Sequence, residues 1–254
     1  MQSTSFSCAF TVLVLVITAF FSSASAAPTG WYVGGGVGWL THVSGNVGNT
    51  TLANNAPGMQ AYPDLLINTQ INDTVATNVQ AGYQFSAPYR WLSAYRVGIS
   101  YENTTQSRVS GNIDQMSDPS PAAKTETFGF NVNNQVFLVT GEGDFFNWRN
   151  LSTFLHLGLG ASDNSAGSFS TSSQQDLLYY PSHSNVAFAY EVGPGVAYQI
   201  IPHLNVDLTA LYQDFGSATL GNGYRQNILV TTPLNGISAN YQSVEVRADV
   251  NYLF

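Results

Sequence analysis

The sequence predicts an all-β fold, an eight-stranded antiparallel up-and-down transmembrane β-barrel. Three observations lead there. Apolar and polar residues alternate over eight segments, the connections alternate between short and long, and charged residues make up only 9% of the chain while 44% is hydrophobic. A strand sends successive side chains to opposite faces, so this alternation gives one apolar and one polar face. A water-facing domain carries about 25% charged residues. A chain with so few needs an outer face that meets lipid and a polar face that is enclosed.

Residues 1–26 are expected to be removed. Met1 to Cys8 is weakly polar, Ala9 to Phe21 is apolar, and Ala24-Ser25-Ala26 supplies a small-x-small cleavage signal, the layout of a secretory signal peptide. No Lys or Arg precedes the apolar run, which departs from that layout. The run is shorter than the ~20 residues of a membrane helix. The only cysteine, Cys8, would leave with the segment, so the mature chain has no disulfide, thiol nucleophile or cysteine metal site. Residues 27–254 read as one barrel domain with no linker.

The alternating segments are residues 31–40, 74–85, 92–102, 135–146, 151–162, 185–200, 204–215 and 241–254. Each matches or slightly exceeds the roughly 9–11 residues of a tilted membrane strand. Short connections at 86–91, 147–150 and 201–203 alternate with long ones at 41–73, 103–134, 163–184 and 216–240. The long stretches, rich in Asn, Ser, Thr and Gly, are expected as extracellular loops, with both chain ends on the short-turn side.

Within the first segment, Gly34, Gly36 and Gly38 fit no phosphate-binding register, since no lysine follows and a strand continues on both sides. Their expected role is steric, admitting close neighbours in the lumen. Segment six sets Val186, Phe188, Tyr190, Val192, Val196, Tyr198 and Ile200 outward, with Ala187, Ala189, Glu191, Gly193, Gly195, Ala197 and Gln199 inward. Segment seven sets Leu204, Val206, Leu208, Ala210 and Tyr212 against Asn205, Asp207, Thr209 and Gln213. Segment eight sets Val244, Val246, Ala248, Val250, Tyr252 and Phe254 against Glu245, Arg247, Asp249 and Asn251. A one-residue slip there would put Arg247 into lipid at roughly 2–4 kcal/mol, so the register is strongly set. Trp31, Trp39, Tyr83, Phe85, Tyr101, Phe145, Tyr198, Tyr212, Tyr252 and Phe254 lie near segment ends, where interfacial girdles belong.

The chain resembles the small outer-membrane barrels of the OmpA-like and opacity-type surface-protein superfamily. The resemblance lies in Gly30-Trp31-Tyr32-Val33-Gly34-Gly35-Gly36-Val37-Gly38-Trp39, in Ala81-Gly82-Tyr83-Gln84-Phe85 and in Val250-Asn251-Tyr252-Leu253-Phe254. It covers the mature chain through generic motifs. It implies an eight-stranded barrel in the bacterial outer membrane, surrounded by lipid and lipopolysaccharide, with Phe254 as the signal read by the barrel-assembly machinery. The peptidoglycan-binding domain of some members is not expected, because the sequence stops at the last strand. A monomer is expected.

Parity places Arg96, Glu102, Glu142, Asp144, Glu191, Asp207, Glu245, Arg247 and Asp249 in the lumen. A barrel of eight strands is just wide enough for its own side chains, and enclosed charges must be paired. Arg96 and Glu142 fall level with each other and are predicted to pair across adjacent strands. A polar plug is the first expectation for this lumen; a narrow gated channel is the competing one. Gly193-Pro194-Gly195 could weaken the wall enough for a carrier of small hydrophobic solutes to open sideways.

Enzyme chemistry has one candidate, Ser152 and His156 facing inward on segment five, as in a lipid-modifying barrel. An enclosed, hydrogen-bonded histidine is the competing and preferred expectation, so no catalytic residue is assigned. His42, His183 and His203 show no metal-ligand spacing, and Asp64, Asp73, Asp114, Asp118, Asp163 and Asp176 are dispersed, so neither metal nor cofactor is expected. A net charge of -8, with Lys124 the only lysine, excludes a nucleic-acid partner. Leu65-Leu66-Ile67, Phe169 and Leu177-Leu178-Tyr179-Tyr180 interrupt the polar loops and suit contacts with a host or extracellular partner, packing among themselves, or strands extended above the membrane. A soluble periplasmic barrel or sandwich is the remaining fold alternative; it would turn the apolar face inward.

Overall fold

The computed structural model describes residues 29–44, 65–89, 91–114, 126–172, 177–226 and 231–254. The expected signal peptide, Cys8, and the loop residues Asp64, Asp118, Lys124 and Asp176 lie outside these. The described strands are β1 (Gly30–Ser44), β2 (Leu65–Ile71), β3 (Thr74–Tyr89), β4 (Leu92–Thr104), β5 (Ser107–Asp114), β6 (Glu126–Trp148) and β7 (Leu151–Thr171). They continue as β8 (Leu177–Tyr179), β9 (His183–Ile201), β10 (Leu204–Thr219), β11 (Gly223–Gln226), β12 (Thr231–Leu234) and β13 (Ser238–Leu253).

Eight of them close a ring in which every pairing is antiparallel: β1, β3, β4, β6, β7, β9, β10, β13 and back to β1. Closure removes free sheet edges, which a lipid environment requires because it offers no hydrogen-bond partner. The short connections are tighter than the sequence suggests. Tyr89 pairs with Leu92, and Trp148 with Leu151; between the latter two lies a two-residue turn in which Arg149 takes a left-handed φ of 57°.

The long connections depart from the expectation of loops. β6 and β7 run past the predicted segment ends to Glu126 and Thr171, β5 and β2 pair beside them, and β8, β11 and β12 form a separate three-stranded sheet. The residues from 126 to 134 explain why. Phe128, Phe130 and Val132 alternate with Thr127, Gly129, Asn131 and Asn133, a strand pattern of opposite polarity to that of the membrane segments.

Side-chain parity continues along these strands while its chemistry inverts. On the outer wall, Val79, Tyr101, Phe137 and Ala161 form one register row across four strands, and Thr77, Asn103, Gln135 and Asp163 form the row directly above. Below that line the outer wall is Val37, Val97, Ile99, Val139, Leu155, Leu157, Leu159, Leu208, Val246 and Val250, all exposed. Stacked or tilted aromatic neighbours flank the band, Phe85 with Tyr95 and Trp91 with Phe145 at the turn end, Tyr101 with Phe137 and Tyr190 with Tyr212 at the other. Such a wall demands hydrocarbon around it. The molecule is therefore an eight-stranded barrel of the bacterial outer membrane, with short turns toward the periplasm.

Above the line the inside becomes apolar. Phe128, Phe130, Val132, Val136, Phe215, Leu220, Ile237 and Tyr241 are buried in one cluster within the extracellular extension. Gly216, with φ 75°, sits in a β10 bulge that lets Phe215 and Ala218 both face inward.

Candidate functional site

The membrane-level lumen is the densest collection of functional groups among the described residues. Arg96, Glu142, Glu191, Asp207, Glu245, Arg247 and Asp249 all point into it, together with Glu102 and Asp144. They gather around two arginines. In the lower group, Arg96 and Glu142 are register partners on β4 and β6, with Nε to Oε2 at 2.7 Å, and Arg96 Nη1 donates to Asp207 Oδ2 at 2.9 Å. Asn251 donates to the same Asp207 oxygen, and Gln80 donates to Asn251.

In the upper group, Arg247 reaches four carboxylates: Glu102 at 3.1 Å, Glu191 at 3.3 Å, Glu245 at 3.6 Å and Asp249 at 3.3 Å. Gln213 Nε2 contacts oxygens of Glu245 at 2.7 Å, Glu191 at 3.1 Å and Glu102 at 3.4 Å. His156 joins the groups, with Nδ1 2.8 Å from Glu142 and Nε2 2.6 Å from Glu191. Enclosed charges that lose water are stable only when compensated in this way.

The wall is shaped to hold these side chains. A Cβ on Gly38 would strike the Glu245 carboxylate, one on Gly36 the Asp249 carboxylate, and one on Gly34 the Asn251 amide. Gly82 and Gly98, register partners, form the shelf under the Tyr32 ring, which lies 6.0 Å from the Arg96 guanidinium. The Phe154 ring covers the same guanidinium at 5.1 Å.

Ligand chemistry has little room here. Glu102, Glu191 and Glu245 offer oxygens within 4.8 Å of one another, the spacing of a metal site. Arg247 Nη1 and Gln213 Nε2 already sit among those oxygens. Both ring nitrogens of His156 are engaged by carboxylates, which leaves none for a nucleophile such as Ser152. His203 binds the Leu253 carbonyl in a turn, and His183 is exposed at a strand start; the His42 side chain lies outside the described residues.

At Pro194 the β9–β10 ladder lacks the pairs between Thr209↔Gly195 and Tyr212↔Val192, yet the register is kept. A Cβ on Gly193 would strike the Ala210 carbonyl, so the strands stay in close contact there. On the other side β9 pairs with β7 without interruption. Phe254 donates its N–H to Trp31 O at 2.8 Å, and its ring is exposed beside Tyr252.

Sequence parity misses several lumen and cap residues. Leu211 is buried in the lumen although apolar, and Tyr241 is buried against Ser107, 2.5 Å between hydroxyls. The loop patches divide: Leu66, Leu178 and Tyr180 are buried, whereas Leu177 and Tyr179 are exposed, Tyr179 beside Tyr224. The alternation in residues 126–134 is the signal that would have found the cap.

A scan of protein-family models gives no match, and a search of curated proteins finds no relative. Among solved structures the chain is similar to Neisserial surface protein A, at 16% identity over 89% of this chain and 99% of that one, with a TM-score of 0.41. It is also similar to the outer membrane protease OmpT from Escherichia coli, at 11% identity over 92% and 100%, TM-score 0.46. A third is Ail, the attachment invasion locus protein of Yersinia pestis, at 14% identity over 89% and 97%, TM-score 0.37. No residue role passes from them to this chain.

Proposed function

We propose that this barrel is a non-conducting, non-enzymatic surface protein, whose lumen acts as a strut and whose extracellular extension presents the interaction surface. The observation that carries this reading is the double filling of the interior: an ionic network at membrane level and a packed apolar core above it. An ion would have to break buried pairs and then pass a packed cluster of apolar side chains. The extension itself, with its added strands and exposed Leu177 and Tyr179, supports contact with an extracellular or host partner. Lateral contact with lipid and lipopolysaccharide, recognition of the Phe254 end by the assembly machinery, and a monomeric state complete the proposal.

Planar-bilayer recordings of purified protein test it, with no conductance expected across the voltage range. Reproducible unitary steps abolished by Arg247→Gln would overturn it in favour of a channel. Lipid A from cells with and without the protein should have the same mass profile, and a change dependent on His156 would replace the surface role with an enzymatic one.

A further inference from the structure

The outer flank of the extracellular extension carries a groove of about 580 Å³ that has no part in the lumen. Four strands build it side by side, and their register sets Gln70, Ser110, Gly129 and Ser170 in one row across β2, β5, β6 and β7. Asn112 and Thr127 are partners in the next row. Two bulges bend the outer strands of the four, one in β2 with Asn68 at φ 53° and one in β7 with Ser168 at φ 55°.

Arg108 lies across this surface. Gly129 makes that possible, because a Cβ there would stand 2.7 Å from the Arg108 Nη2. Nη2 donates to Ser170 Oγ at 3.1 Å, and Ser170 Oγ in turn donates to the Gly129 carbonyl at 3.3 Å, so one face of the guanidinium is held against the sheet. Arg108 is exposed and meets no carboxylate among the described residues. In a chain of net charge -8, this is a positioned cation without an acidic partner among the described residues.

We infer that the groove binds the end of a saccharide carrying a single acidic group. Arg108 takes the carboxylate or phosphate through its remaining donors, in the fork geometry suited to such groups. Apart from Arg108, Phe128 and Gly111 the lining side chains are amides and hydroxyls, which both donate to and accept from sugar hydroxyls. A polyanion is disfavoured, since Arg108 is the single cation lining the groove among the described residues of a strongly acidic chain. Arg108 pairs in register with Asn131, which lies on the order of 20 Å along β6 beyond Phe137 at the lipid boundary. That height faces both the acidic core sugars of lipopolysaccharide and glycans from the medium. The inference rests on the surface-interaction reading above and supplies its ligand chemistry.

The intact protein in nanodiscs should be titrated with 3′-sialyllactose, with lactose, and with lipopolysaccharide that either retains or lacks its acidic core sugars. Saturable binding of at least one acidic sugar is expected, with lactose at least tenfold weaker. Arg108→Gln should weaken it tenfold or more, Arg108→Lys should restore part, and Ser110→Trp, which fills the groove, should abolish it. Heat-modifiable gel migration checks that each variant still closes. Binding confined to core-bearing lipopolysaccharide would assign the ligand to the outer leaflet, and binding confined to sialyllactose would assign it to external glycans. Equal affinity of Arg108→Gln and the parent, equal affinity for lactose, or no binding of any acidic sugar would overturn the inference. Bilayer recordings read the lumen and titrations read the groove, so the two proposals fail separately.

Discussion

The membrane-level half of this barrel and its extracellular half use the same strands and the same parity with opposite chemistry. Along β6, the residues facing in change from Phe128, Phe130 and Val132 to Thr140, Glu142 and Asp144, while those facing out change from Asn131, Asn133 and Gln135 to Phe137, Val139 and Phe145. The inner face is apolar where the outer one meets water and ionic where the outer one meets lipid. The hydrophobic effect stabilises the upper half by removing apolar surface from water. In the lower half the outer face already sits in hydrocarbon, so paired charges and hydrogen bonds inside give the lumen a single arrangement.

Loss of Arg247 should break the lower half most severely, because its guanidinium is shared by four buried carboxylates. Arg247→Leu is expected to cost about 3–5 kcal/mol, the scale for leaving buried charge uncompensated. Urea unfolding in lipid vesicles, followed by gel migration, measures it, and a change under ~1 kcal/mol would show that the network does not hold the lumen. Phe130→Ala should cost a similar ~3–5 kcal/mol within the upper half. There the expected readout is different: protease should cut the extracellular extension while the membrane ring keeps its heat-modifiable migration. Loss of that migration would mean that the halves fold as one unit.

The boundary between the halves can be read with a charge on the outer wall. Val246→Arg should cost roughly 2–4 kcal/mol, as expected for arginine near mid-bilayer. Asn133→Arg, also outward but two register rows above Phe137, should change stability by less than ~0.5 kcal/mol. Similar costs at both positions would place the lipid line elsewhere. Between these cases, Gly38→Val should cost ~1–3 kcal/mol by driving the Glu245 carboxylate from its place, an overpacking effect confined to the lower half.

Much of the membrane half was legible because a pleated strand makes polarity and direction the same information. Val244 to Phe254 and Glu245 to Asn251 separate by parity alone, and the depletion of charge implies an apolar exterior. The partnership of Arg96 with Glu142 was also within reach, since the two strands are joined through one reversal of the chain and their positions can be counted from the turns. The extracellular half was harder to read. Its polar residues resemble loop composition, and the inverted alternation in 126–134 is short and interrupted by Asn134, which is itself buried and bonded to Asn164.

By itself, the sequence determined which side chains face lipid, which face the interior and how many strands close the ring, because these follow from the period-two geometry of each strand. Only the tertiary structure decided that Arg247 on β13 meets Glu102 on β4, that His156 links two ionic groups, and that Arg108 lies over Gly129. Those contacts cross the barrel or join strands brought together by register. Local alternation specifies direction and carries no information about distance across an enclosed space.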